Sequence, residues 1–347
     1  MYLRKILLAV VLIGLVVAGG VAYMIYGALF SPNTNFSEEE VYVYIPTGSS
    51  FSEVKERISP FLEDFTTFEA VAKRKKYVDY VKAGRYRIVN GMNNNEVINS
   101  LRIANVPISV SFNNQETLAD LAGRIGSQIE ADSLSLLTVL ADSTFLRTRG
   151  LDEFTGIASY IPNTYEFFWN TSAASFQERM IDEYEKFWNT ERKQKAAAIK
   201  LRPLEVISLA SVVHKETAKI EERPRVAGVY LNRIKRNMLL QADPTVIYAI
   251  KRESGNFDTV IKRVLYRDLE LDSPYNTYKY KGIPPGPITM PDITAIDAVL
   301  NAEKHKYYYF VANIENFGYH LFAETLAQHN RNKAQYIRWI NEQNVNR

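Results

Sequence analysis

Three features of the sequence predict an α+β chain, built as an N-terminal transmembrane helix, a small α+β module and a larger, mostly helical domain with a β-hairpin element. An uncharged run opens the chain, strands and short capped helices alternate after it, and helical periodicity dominates the remainder. Residues 6–30 carry no charge, follow Arg4 and Lys5, and are themselves followed by no acid or base until Glu38. About 20 apolar residues cross a hydrocarbon core of roughly 30 Å, whereas a cleavable signal has an apolar core of about 7–15. The run therefore reads as a membrane span, although Ala18, Gly19, Gly20 and Ala22 would suit a processing site. The basic pair before it places residues 1–5 in the cytoplasm and the body on the far side.

Residues 31–40, with Pro32, Asn33, Asn35 and three consecutive glutamates, read as a linker. Fully extended, such a segment reaches no more than roughly 36 Å. Val41 to Ile45 alternates as a strand, a turn follows at Gly48, and Ser50 with Glu53 forms a capping box that starts a helix. A helix from Thr67 to Lys76, a strand from Ala83 to Val89 and a capped helix from Asn94 to Arg102 complete a module over 41–105. The second domain, 106–347, opens with a strand from Ile108 to Phe112 and helices over 116–129 and 132–142. Further helical periodicity covers 173–189, 203–218, 222–236 and 325–342. Ser273 to Pro287, rich in Tyr, Pro and Gly, can only be loop or hairpin, and Tyr307 to Asn313 with Gly318 to Glu324 forms a terminal hairpin.

Composition narrows the function. A formal net charge of +3 over 347 residues argues against nucleic-acid binding, which needs a dominating basic stretch. Cysteine is absent, which excludes disulfides, thiolate metal sites, a cysteine nucleophile and a lipoprotein anchor. None of the four histidines forms a His-x-x-x-His pair, so no metal is expected. Pro284 to Pro287 lacks the glycine and lysine pattern of nucleotide sites, no Gly-x-Ser-x-Gly elbow occurs, and no cofactor is expected.

The helix from Pro203 carries the chemistry. Leu209, Val212 and Val213 lie seven, four and three positions before Glu216 and share its face. An acid on an apolar stripe at a helix C-terminus has its pKa raised by burial and by the helix dipole, which is how a general acid is made. The same pattern also fits a carboxylate paired with Lys219, Arg223 or Arg225.

The surrounding residues extend the reading. Leu209-Ala-Ser-Val-Val-His-Lys-Glu216-Thr, then Glu222-Arg-Pro-Arg-Val-Ala-Gly-Val-Tyr-Leu-Asn-Arg233, then Met238-Leu-Leu-Gln-Ala-Asp-Pro-Thr-Val-Ile-Tyr248 resembles the signature of the endolytic murein transglycosylases, the MltG/YceG-like family. Pro162-Asn-Thr-Tyr-Glu-Phe167 is similar to an earlier block of that family. Ser273-Pro-Tyr-Asn-Thr-Tyr278 with Gly282-Ile-Pro-Pro-Gly-Pro-Ile288 looks like its second block, and Tyr309-Phe-Val311, Gly318-Tyr-His-Leu-Phe322 and His329-Asn330 like its third. The resemblance implies a single-pass inner-membrane lyase with its body in the periplasm. Such an enzyme cuts the MurNAc-GlcNAc β-1,4 bond within peptidoglycan strands and leaves a 1,6-anhydro end. It also implies Glu216 as the catalytic residue, a LysM-like module over roughly 41–105, and as partners the glycan strands, the bilayer and peptidoglycan synthases (penicillin-binding proteins). Two positions depart from the family pattern. His214 replaces the first acid of a Glu-Lys-Glu motif, on a different helix face from Glu216, and Asn163 replaces an aspartate.

One carboxyl is enough for a lytic reaction. It donates a proton to the glycosidic oxygen and then, ionised, takes one from the muramic acid C6 hydroxyl, which is already held near the anomeric carbon. A hydrolase normally needs a second carboxylate. Among the block residues, Thr164, Asn232, Gln241, Asn276 and Thr277 offer neutral hydrogen-bonding groups for substrate binding, Asp243 a carboxylate, and Tyr165, Tyr275 and Tyr278 faces for pyranose rings. Each also has a structural role open to it: Asn232 bridging helices, Gln241 satisfying loop backbone, Asp243 capping a helix, the tyrosines packing. His320 would orient Glu216 or a substrate carboxylate. Two rivals stand beside the lyase: a non-catalytic peptidoglycan-binding scaffold of the cell-wall synthesis machinery, and a muramidase.

Overall fold

The computed structural model describes residues 2–342; Met1, expected in the cytoplasm, and residues 343–347 of the second domain lie outside the described residues. Two compact units divide the chain. The first runs to Val110 and adds Gln128–Ala131 and Tyr165–Ser172; the second takes Ser111–Ser127, Asp132–Thr164 and everything from Ala173. A single boundary at 105–106 therefore does not describe the packing, because short segments of the later sequence return to the first unit.

In the first unit, α1 (Tyr2–Phe30) leads to β1 (Glu40–Ile45), α2 (Phe51–Ile58), α3 (Phe65–Arg74), β2 (Gly84–Val89) and α4 (Asn94–Ile103). The helix α1 has 29 residues, about 43 Å at the α-helical rise, and is long and apolar enough to cross a membrane. The strands β1 and β2 pair antiparallel with Val43 opposite Tyr86 and Ile45 opposite Gly84. Val43 and Ile45 point inward, so alternation decides which face of the ribbon is buried. Their partners are Val54 and Ile58 of α2, Phe68 and Val71 of α3, and Val97 and Leu101 of α4. Capping boxes open α2, at Ser50 with Glu53, and α4, at Asn93 with Glu96. Each satisfies two amides that the helix leaves unpaired.

The expected linker is instead tied to this unit. Asn33 and Thr34 are buried, Pro32 bridges Asn93, and Thr34 bridges Leu62. Asn33 Nδ2 donates to Asp64 O at 2.8 Å and to Asn94 Oδ1 at 2.6 Å, and Asn94 Nδ2 donates to Ala28 O at 2.9 Å. Polar side chains read as linker composition because their partners, about thirty and sixty residues away, are invisible to a local reading.

The chain passes between the units within β3 (Pro107–Phe112) and β4 (Asn163–Phe168), which form a two-stranded sheet. Between these strands lie α5 (Leu118–Gly126), α6 (Ser133–Leu140) and α7 (Ser143–Thr148). After β4 come α8 (Ala173–Phe187), α9 (Thr190–Ala198), α10 (Pro203–Glu216), α11 (Arg223–Lys235), α12 (Asp243–Ser254) and α13 (Ile293–Leu300). The hairpin β5 (Tyr309–Ala312) and β6 (His320–Ala323) and then α14 (Leu326–Glu342) complete the described chain. The result is a helix-rich mixed fold with small two-stranded sheets.

The second core is built on α10. Every residue from Val206 to Val213 is buried, so this helix is enclosed on all sides, where the sequence predicted one apolar stripe. Around it pack Val226, Ala227 and Tyr230 of α11, Tyr248 and Ala249 of α12, and Ile296 and Val299 of α13. Gly228 lets a neighbouring segment cross α11 closely: a Cβ there would stand 2.4 Å from Glu303 O.

Candidate active site

The enclosed helix α10 ends at Glu216, which carries a carboxyl out of the core. Buried Tyr230 of α11 donates its hydroxyl to Glu216 Oε1 at 2.6 Å. By surface area Glu216 is only half-buried, yet its carboxyl lies deep enough for desolvation to dominate and push its pKa up to about 7. The Tyr230 hydrogen bond, the nearby His320 and the positive charge of Arg233 oppose that rise, and the negative charge of Asp243 adds to it. Burial and the Glu216 charge hold the Tyr230 phenol well above its ordinary pKa, so it stays a donor. The outcome is a carboxyl poised to give and take a proton near neutral pH.

Arg233, buried on the same helix as Tyr230, is fixed by main-chain carbonyls: Nε donates to Tyr308 O at 2.6 Å and Nη1 to Leu240 O at 2.6 Å. On the hairpin, His320 is gripped by Glu222, whose two oxygens meet its backbone amide at 2.8 Å and its Nδ1 at 2.7 Å. Phe310 meets Tyr230 edge-on at 5.9 Å and His320 at 5.0 Å between ring centres, joining the two groups.

Of the residues expected to bind substrate, Asp243, Tyr278 and His320 gather around Glu216. Asp243 opens α12 and does not cap it, so its exposed carboxylate accepts the Tyr278 hydroxyl at 2.6 Å. Gln241 is exposed and holds a left-handed φ of 49°, with its amide donating to Thr277 O at 3.1 Å. Thr164 is exposed and Tyr165 half-buried on β4.

Four candidates take structural roles. Tyr275 is 1% exposed and packs on Tyr248 with ring centres 4.7 Å apart, so it offers no free face to a sugar. Asn276 is fully buried, its amide donating to Leu269 O and Leu271 O. Thr277 Oγ1 accepts the Ala242 amide and meets Thr245 Oγ1 at 2.8 Å, which ties the loop to the start of α12. Asn232 Nδ2 donates to His305 O and Tyr307 O and pins the segment that crosses α11. Residue type alone could not separate these from sugar-binding groups, because amides and hydroxyls serve both purposes.

The expected alternative partners of Glu216 are engaged elsewhere: Arg223 with Asp292 at 2.7 Å and Arg225 with Glu303 at 3.0 Å, while the Lys219 ammonium lies over the Tyr319 ring. His214 joins the Arg223 and Asp292 group, with Nδ1 3.3 Å from Asp292 Oδ2, on the face away from the acid. Tyr230, Arg233 and Glu222 carry the setting of Glu216 and His320, and sequence reasoning assigned them no role. Their only sequence signal is membership of the Glu222 to Arg233 block. Among the described residues, no group of three or more His, Cys, Asp and Glu side chains is arranged to hold a metal.

The sequence matches the YceG-like family over residues 43–335. It is 29% identical to a Bacillus subtilis (strain 168) protein named endolytic murein transglycosylase, covering 93% of this chain and 92% of the relative. A Streptococcus pneumoniae protein of the same name is 28% identical over 87% of this chain, which spans 59% of that longer relative. The crystal structure of a yceG-like protein from Listeria monocytogenes superposes with a TM-score of 0.56 at 27% identity, covering 85% of this chain and 99% of the other.

Proposed function

We propose that this chain, which belongs to the YceG-like family, is an endolytic lytic transglycosylase of peptidoglycan, a lyase in which Glu216 is first the general acid and then the base. The relatives named endolytic murein transglycosylase support the activity at the level of the family. The observation that carries the residue assignment is the Glu216 carboxyl at the end of a buried helix, pushed up to about 7 and aimed by Tyr230. Protonated, it gives its proton to the glycosidic oxygen as the bond to the muramic acid anomeric carbon breaks. Ionised, it removes the proton of the C6 hydroxyl as that oxygen closes on the same carbon, which returns the acid and leaves the 1,6-anhydro ring. The intramolecular hydroxyl replaces a positioned water.

Thr164, Tyr165, Gln241, Asp243 and Tyr278 are the polar and aromatic groups assigned here to the glycan path, and His320 orients charge beside Glu216. The apolar helix α1 supports single-pass anchoring, with residues 1–5 in the cytoplasm and the body in the periplasm. Residues 41–105 serve as a LysM-like glycan-holding module, and synthases that make strands at the same membrane face are the partners.

A hydrolytic reading draws on one observation, the Asp243 carboxylate, close enough to Glu216 to oppose its ionisation. Products decide between them. Purified protein incubated with glycan strands should release anhydro-muramic ends by mass spectrometry; reducing ends would make it a muramidase, and no cleavage would leave a binding scaffold. Glu216→Gln should lower the rate by at least about 10²-fold while strands still bind. Full activity in that variant would refute the assignment.

A further inference from the structure

Wholly within the second unit lies a cavity of about 540 Å³, lined in part by the chain neighbours of Glu216 and Asp243. That volume falls in the range of roughly 300–1,000 Å³ that takes small organic ligands. Lys215, the residue before Glu216, and Pro244, the residue after Asp243, both line it, so it lies at the ends of the two helices that carry those acids.

A charged triad is built into it. Glu116 accepts Lys215 Nζ at 2.9 Å through one oxygen and Lys251 Nζ at 2.7 Å through the other. Two ammonium groups share one carboxylate, which leaves the triad one formal positive charge. The Lys251 side chain is 13% exposed and that of Glu116 20%. The Lys215 side chain is 36% exposed, and each ammonium has three donors of which this carboxylate takes one, so an anion entering the cavity would share the others. The other two acids of the lining, Asp120 and Asp258, are exposed, and Asp120 already accepts the Thr117 amide. Ile247, Phe257 and Ile288 supply an apolar wall beside the lysines.

A glycan stripped of its peptide keeps one carboxylate, on the short lactyl group of each muramic acid, and has no apolar residue beyond it to meet the wall. The peptide amide-linked to the lactyl group of muramic acid matches both the lysines and the wall, because it combines methyl side chains with free carboxylates. Resting on the reading given above, we propose that this cavity receives the acidic peptide substituent of the muramic acid next to the scissile bond, its carboxylate docking on Lys215 and Lys251 beside the apolar wall. The enzyme then distinguishes strands that carry peptides from strands that do not, at a place separate from the sugar path.

The test compares kcat/KM on glycan strands carrying stem peptides with kcat/KM on the same strands stripped by an amidase. The wild-type protein should favour peptide-bearing strands, and Lys251→Met should reduce that ratio about tenfold, the scale of one charge-assisted hydrogen bond. A ratio of one in the wild type, or an unchanged ratio in folded Lys251→Met, overturns the inference. Should Lys251→Met not fold, titration of the wild-type protein with a soluble muramyl tripeptide decides the matter: amidating the peptide carboxylates should weaken binding about tenfold, and equal binding overturns the inference. Wild-type protein that releases no anhydro product from either strand refutes the lytic reading instead, so the two failures are distinct.

Discussion

At the scale of single residues, the site depends on how Glu216 is tuned. In the proposed mechanism its carboxyl is protonated when the glycosidic bond breaks, so kcat/KM should fall as pH rises through about 7. The Tyr230 hydrogen bond favours the ionised form and lowers that value. In Tyr230→Phe the opposing contribution is lost, the pKa rises further, and the basic limb of the pH profile should move to higher pH by about one to two units, as a charged hydrogen bond of roughly 1.5–3 kcal/mol requires. An unmoved limb would separate Tyr230 from the acid. Gln241 poses a different question, because a left-handed φ of 49° costs a residue with a Cβ about 1 kcal/mol or more. Gln241→Gly should raise thermal stability by about that amount and, if the side chain holds sugar, raise KM; a gain in stability with unchanged KM would leave Gln241 only a backbone role. Glu216 was legible in the sequence as a candidate because helix spacing and the apolar residues that share its face are local properties. Tyr230 was not, since it stands 14 residues further on and on another helix.

At the scale of elements, helix starts were legible where a reciprocal capping box is written in adjacent residues, as at Ser50 with Glu53 and Asn93 with Glu96. The helices α7, α9, α12 and α13 and the strand β4 were missed, because they draw their stability from packing more than from their own pattern. The helix α13 shows how such an element is held. Asp292 caps it through the Ala295 amide at 2.9 Å and pairs with Arg223 of α11, whose side chain is 5% exposed. Burial pushes the Asp292 carboxyl up, but the hydrogen bonds from His214 and Arg223 outweigh it and hold the group well below the usual carboxylate range. Asp292→Asn removes the counter-charge from a buried guanidinium and should cost about 3 kcal/mol in chemical denaturation, with little change in the pH profile of Glu216. A loss under about 0.5 kcal/mol would show that the pair is screened and contributes no more than a surface bridge.

At the scale of the whole molecule, the span and the first unit are joined without slack. Asn94, 1% exposed, holds Ala28 at the end of α1, Thr67 of α3 and Asn33 between them. The helix α1 therefore meets the rest of the first unit through a docked end and not through a free tether. Asn94→Ala should loosen this clasp and cost about 1–3 kcal/mol, because it strands buried polar partners. The chain has no native cysteine, so spin labels at Tyr26→Cys and Ile103→Cys report the join directly. Their distance distribution should be narrow with Asn94 present and broad in the Asn94→Ala background, and equal widths would mean that the clasp does not order the join. By itself the sequence determined the apolar span, the alternation of β1, the capped helices and the acid at the end of α10, all of which follow from residues a few positions apart. Only the tertiary structure decided that residues 31–40 are pinned, that Tyr275, Asn276, Thr277 and Asn232 hold the scaffold, and that Tyr230, His320 and Asp243 converge on Glu216. Burial and partnership are properties of distant residues brought together, and the carboxyl's proton affinity is set by that enclosure.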